Sequence, residues 1–80
     1  MNTYLIDPRA NDGDMFTVEA SDHFDAARSG AKRMFPKNNF TIHRETGSAD
    51  GSGLFQAYKI IDPKTGLLSS YQYMFHVAEV

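Results

Sequence analysis

The stretch Ser21-Asp22-His23-Phe24-Asp25-Ala26-Ala27-Arg28-Ser29-Gly30-Ala31-Lys32-Arg33-Met34-Phe35-Pro36 decides how this chain folds. Phe24, Ala27, Ala31, Met34 and Phe35 recur at steps of three, four, three and one, the apolar stripe of an amphipathic helix. Ser21 or Asp22 supplies an N-cap, because a short side-chain oxygen accepts an orphan backbone N–H. Asp22 and Asp25 fall in the first turn, Lys32 and Arg33 in the last, and both placements suit the helix macrodipole. Pro36 biases Phe35 away from helical ψ and stops the helix. The spacing therefore predicts a helix over 22–35. Gly30 is its weak point, costing about 1 kcal/mol relative to Ala in a helix interior. A missing side chain there would instead permit close approach of helix to sheet.

Outward from the helix, the pattern changes to strands. On the N-terminal side, Tyr4-Leu5-Ile6 is a short apolar run ended by Asp7-Pro8, and Asn11-Asp12-Gly13-Asp14 is a turn signal. Met15 to Ala20 then alternates, with Phe16, Val18 and Ala20 on one side, so this pair reads as a first hairpin. On the C-terminal side, Phe40 to Glu45 alternates with Phe40 and Ile42 inward. Residues 47–53 hold three Gly and no bulky apolar side chain and read as a flexible loop. Leu54 to Ile61 is a strand by composition. Asp62-Pro63-Lys64-Thr65-Gly66 is a turn, with Pro presetting φ and Gly taking the left-handed position. Leu67 to Val77 is the last strand, with Leu67, Ser69, Tyr71, Tyr73, Phe75 and Val77 expected on one face. The order is β-β-α-β-β-β. It predicts a single α+β domain over residues 1–80: an antiparallel sheet of about five strands with one helix packed on one face, the last three strands forming a meander. The sheet position of the first two strands is left open.

Composition narrows the class. Hydrophobic content of 41% against 22% charged residues is that of a globular domain rather than a disordered chain. There is no cysteine, so no disulfide framework, thiolate metal site or thiol nucleophile, which fits a reducing cytosol. No apolar run approaches the roughly 20 residues of a membrane span. The N-terminus has neither the basic nor the apolar region of a signal peptide. The expectation is a small soluble domain with no membrane association.

Charge is sorted by position. Residues 1–25 carry six acids (Asp7, Asp12, Asp14, Glu19, Asp22, Asp25) and one base, Arg9. Residues 26–44 carry five bases (Arg28, Lys32, Arg33, Lys37, Arg44) and no acid, although the formal net charge is only −2. Arg28 and Lys32 are four apart and share a helix face, with Arg33 beside them and Lys37 in the following loop. Together they could hold phosphates or an acidic protein surface; the plainer reading is a solvated, dipole-matched helix end. Arg44 belongs to the next strand.

Other features point less sharply. Asp12-Gly13-Asp14 resembles a fragment of a calcium loop, but the spaced ligands and terminal Glu are missing. His23, His43 and His76 show no metal-ligand spacing. No serine has the context of a nucleophile elbow, and the 47–53 glycines are not followed by Gly-Lys-Ser/Thr. These absences argue for a binding protein, not an enzyme, with neither cofactor nor metal expected. Tyr71, Tyr73 and Phe75 form an aromatic stripe that could stack bases, yet no Lys or Arg interleaves it. Core packing explains Phe75, and Tyr71 and Tyr73 suit a protein contact.

Glu19-Ala20, a helix closing on Ala31-Lys32-Arg33 with Lys37 after it, Arg44-Glu45-Thr46, and Leu54-Phe55 with Ala57-Tyr58-Lys59 in a strand together resemble small phage-encoded anti-CRISPR proteins that inhibit type I surveillance complexes. The likeness is nearest to type I-F inhibitors and covers roughly residues 15–60 as short motifs; another subtype, such as I-C, stays open. The resemblance implies a monomer in the bacterial host cytoplasm that binds the backbone subunits of a guide-RNA complex and blocks target DNA by occlusion, without chemistry. It implies partner-binding roles for the basic helix-end residues Lys32, Arg33 and Lys37 and for the strand residues Tyr58 and Lys59. Arg28, Tyr71 and Tyr73 join this set from the charge and aromatic patterns, with a weak nucleic-acid contact as a secondary expectation. The alternative is a small phage nucleic-acid-binding or regulatory protein using the same basic helix end.

Overall fold

Six elements follow one another along the chain: β1 (Asn2–Asp7), β2 (Phe16–Ala20), α1 (His23–Met34), β3 (Phe40–Arg44), β4 (Gly53–Asp62) and β5 (Leu67–Glu79). The structure is a computed structural model and describes residues 1–9 and 13–80. The turn read at Asn11-Asp12 lies outside the described residues. The five strands form one sheet in the order β2-β1-β5-β4-β3, with every neighbouring pair antiparallel. The expected α+β architecture is therefore present, and the first hairpin joins the meander through β1 pairing with β5. The helix connects the two edge strands, β2 and β3, and passes across one face of the sheet. Among the described residues, no helix is long and apolar enough to cross a membrane.

Large side chains come from the sheet and small ones from the helix. Ile6, Phe55, Phe75 and Val77 are fully buried and Tyr4 nearly so, while α1 presents Ala26, Ala27, Gly30 and Ala31 to them. Register stacks these groups: Phe55 lies opposite Phe75, and Val77 is opposite Gly53 on one side and Ile6 on the other. Burying each of the larger apolar side chains contributes about 1.5–3 kcal/mol. A Cβ built on Gly30 would lie 3.2 Å from Ile6 Cδ1, so the absent side chain sets how closely helix and sheet approach.

The helix begins and ends one residue inside the expected 22–35 span. Asp22 is the N-cap, its carboxylate accepting the Asp25 N–H at 2.7 Å. Asp25 reaches back to accept from the backbone and hydroxyl of Ser21, both at 3.3 Å. Phe35 is the C-cap, its N–H donating to Ala31 O. Phe24, read as part of the buried stripe, is 43% exposed, with its ring edge-on to Phe55.

Two further expectations need correcting. The single face proposed for Leu67 to Val77 is interrupted. Tyr58 pairs with Gln72 but Ile60 pairs with Leu68, so one residue of β4 faces three of β5 across a bulge at 69–71. Phe75 and Val77 are buried and Tyr73 is half-buried against the same core, whereas Tyr71 is 79% exposed. The 47–53 segment is cross-linked by hydrogen bonds rather than loose. Ser48 N–H donates to Ser52 O at 2.8 Å, and Gly51 N–H to Ser48 O at 3.0 Å. The Arg44 guanidinium donates to Ser48 O and Ser52 O at 3.1 and 3.3 Å. The Asp50 carboxylate accepts from the Ser52 hydroxyl at 2.7 Å and the Ser52 N–H at 3.0 Å. These two bonds, hydroxyl first, hold the Asp50 carboxyl below its ordinary pKa. Gly53 already belongs to β4.

Candidate interaction surface

Helical spacing places Arg28, Lys32 and Arg33 on the face of α1 that points away from the sheet. With Ser29 they line a shallow concavity of about 500 Å³. All three cations are exposed, yet each also makes an intramolecular contact. Arg28 lies 3.5 Å from Asp25 in an exposed i,i+3 ion pair, a class worth about 0–1 kcal/mol. Lys32 Nζ donates to Asn38 O at 3.0 Å and to Asn39 Oδ1 at 3.3 Å, pinning the loop that leads into β3. Two of the three ammonium donors are thereby used.

Arg33 has the most definite structural task. Its guanidinium carbon sits 4.7 Å from the centroid of Phe16, and Nη1 donates to Thr17 O at 3.2 Å. The ladder explains why that carbonyl is available. Val80 N–H donates to Thr3 O, so Thr3, Leu5 and Asp7 direct their backbone groups to β5. Tyr4 and Ile6 then turn theirs to β2, where they meet Val18 and Phe16. Thr17 and Glu19 are left facing outward at the sheet edge. Arg33 covers the Thr17 carbonyl, and a charged group over an edge strand discourages further strand pairing.

The remaining sequence-derived residues do not join this face. Lys37 lies in the loop beyond the helix, beside a separate shallow pocket of about 290 Å³ shared with Met34, Phe35, Pro36 and Asn38. Among the described residues it makes no hydrogen bond or ion pair. Tyr58 is on the helix-free side of the sheet, donating to Gln72 Oε1 at 2.6 Å with its ring edge-on to His43. Lys59 is exposed opposite Phe40. Tyr73 stacks on Phe35 at 4.2 Å and meets Phe40 edge-on, so packing accounts for it. Tyr71 stands exposed at the bulge, its N–H bonded to Ser69 Oγ. The eight residues are thus dispersed over the helix, the loop and both sides of the sheet.

Sequence reasoning missed Ser29, Asn39 and Phe40. Ser29 adjoins Arg28 in the first concavity, and Asn39 and Phe40 line a second one, of about 190 Å³, with Arg28 and Lys32. The tandem Asn38-Asn39 after Pro36 was the available signal, since amide side chains favour turns. The pairing of Arg33 with Phe16 and Thr17 is long-range and has no local signature. Among the described residues, no three His, Cys, Asp or Glu side chains lie together in a way that could hold a metal ion. No protein-family model matches the chain, and no curated protein matches it.

Proposed function

We propose that this chain is an interaction protein that docks an anionic protein surface through the outer face of α1 and acts by occlusion. The observation supporting this is the shared concavity of Arg28, Lys32 and Arg33, which no acidic side chain lines. By its resemblance to anti-CRISPR proteins, the partner we assign is a type I CRISPR surveillance complex in the bacterial cytoplasm, bound through its backbone subunits so that target DNA cannot pair with the guide.

The test is co-purification with an assembled type I surveillance complex, followed by a target-DNA binding assay. Arg33 and Lys32 are poor first substitutions, because both brace the fold. The variant Arg28→Glu reverses charge on that face where only one exposed ion pair is lost. It is expected to keep the thermal transition near wild type and to weaken complex binding at least about tenfold. Unchanged inhibition by this variant refutes the assignment. Binding of random duplex DNA, with a log–log salt slope of about −0.9 per phosphate contact, would instead select the nucleic-acid-binding alternative.

A further inference from the structure

We propose that the free edge of β3 is a docking strand for an extended acidic peptide segment of the partner; this rests on the interaction-protein reading and names the chemistry it recognises. Two hydrogen bonds fix which backbone groups of β3 are free. Ile60 N–H donates to Asn39 O, and Glu45 N–H donates to Leu54 O, both at 2.9 Å. Alternation in an antiparallel ladder then turns Thr41 and His43 toward β4 as well. The N–H and C=O groups of Phe40, Ile42 and Arg44 face outward, and no hydrogen bond among the described residues reaches them. This is the unpaired row onto which an extended segment adds as a further strand.

The two edges of the sheet are treated differently. At β2, Arg33 covers the outward Thr17 carbonyl, and Glu19 on the strand and Asp14 just before it make that edge acidic. At β3 the edge is uncovered and its flank is basic. Arg28 and Lys32, with Asn39 and Phe40, line the concavity of about 190 Å³ where α1 meets the start of β3. Lys32 keeps one donor beyond those given to Asn38 and Asn39. Strand addition supplies main-chain hydrogen bonds, and pockets for alternate side chains supply selectivity. An acidic side chain of the added strand would enter the concavity beside Phe40. The side chain two positions along would cover the half-buried Ile42, which selects an apolar residue there.

A second copy of the chain is a poorer occupant. Antiparallel pairing of β3 with itself about Ile42 sets Phe40 opposite Arg44, bringing the Arg28 and Lys32 flank toward a like charge.

The probe is a capped heptapeptide carrying one glutamate and, two positions after it, one valine, with threonine at the other positions; it is titrated into ¹⁵N-labelled protein, and the same peptide with glutamine in place of glutamate is its neutral counterpart. Expected are shifts at the Phe40, Ile42 and Arg44 amides, slowed hydrogen exchange at the same three, and at least about tenfold weaker binding of the neutral peptide. Ile42→Pro removes an outward N–H, a position where an edge strand tolerates proline, and should abolish peptide binding. If that variant fails to fold, an amide-to-ester replacement of the Ile42 N–H by chemical synthesis keeps every side chain and should weaken binding likewise. No binding at millimolar peptide overturns the proposal. So do shifts confined to Arg28 and Lys32 side chains, and so does a concentration-dependent dimer that protects the same amides without peptide. If Ile42→Pro still binds the surveillance complex while Arg28→Glu does not, strand docking fails and the helix-face reading stands. If neither variant loses the complex, both fail.

Discussion

Replacing Gly30 by alanine sets two effects of known size against each other. In an exposed helix the change stabilises by about 1 kcal/mol, because Gly loses the most backbone freedom on folding. Here the added methyl would lie 3.2 Å from both Cδ1 and Cγ1 of Ile6 and 3.3 Å from its Cγ2. Ile6 is fully buried, so it has little room to yield. Overpacking a filled core costs about 1–3 kcal/mol. The balance is a net loss of roughly 0–2 kcal/mol, and a loss of 1 kcal/mol lowers Tm by about 4–8 °C in a domain of this size. Thermal and urea unfolding by circular dichroism reads this directly, and a rise in Tm for Gly30→Ala would refute the close-approach argument. A double-mutant cycle locates the obstacle. Ile6→Val removes Cδ1 and alone costs about 0.5–1.5 kcal/mol. If the clash is with Ile6, the two changes together cost less than their sum by more than the roughly 0.3–0.5 kcal/mol scatter of independent sites. Additivity within that scatter would place the strain elsewhere.

Arg33→Ala should lower stability by about 1 kcal/mol, through loss of the guanidinium over Phe16 and of the charged donor to Thr17 O, whereas Lys37→Ala should stay within about 0.5 kcal/mol; urea midpoints separate the two, and equal effects would contradict the structural role of Arg33. Asp50 predicts a pH dependence whose sign follows from its lowered pKa. The contribution is present above the ordinary carboxylate value of 3.8 and is lost as pH falls through the lower folded value, when Ser52 loses its charged acceptor. Asp50→Asn should therefore show a shallower loss of stability between about pH 5 and pH 2 than wild type, and identical acid slopes would count against the Ser52 bonds.

Much of the fold is legible because it rests on local signals. The helix limits follow from Asp22 as cap and Pro36 as stop, and the last hairpin from Asp62 to Gly66, where Gly66 takes φ of 77° and donates to Asp62 O at 2.8 Å. Alternation identifies each strand. What it cannot give is the pairing of β1 with β5, since hairpin chemistry speaks only for neighbours in sequence. The bulge at 69–71 is hidden for a related reason: Leu67 to Val77 keeps strict parity in sequence while the ladder to β4 slips. Tyr71 and Tyr73 look equivalent in the sequence, yet one is exposed and the other is stacked on Phe35. The glycines of 47–53 suggested looseness, but Arg44 and Asp50 supply the bonds that glycine-rich composition conceals.

The same distinction governs the candidate site. Five bases without an acid between residues 26 and 44 read as one patch, but the structure divides their tasks. Arg44 ties its own loop, Arg33 guards the β2 edge, and Lys32 braces the entry to β3. A count of charges therefore overstates what a partner could use. Position along the fold restores part of it. Arg28 and Lys32 are the two cations that line both helix-side concavities, and the second opens beside the uncovered edge of β3. Lys32 can serve fold and partner together because an ammonium has three donors and the loop takes two. Removing Lys32 would loosen Asn38 and Asn39 as well as the anion site, so binding lost in that variant would not separate the roles. Arg28 can separate them, since its intramolecular bond is one exposed ion pair. The strongest evidence for recognition would thus come from Arg28, although the sequence draws the eye to Lys32 and Arg33.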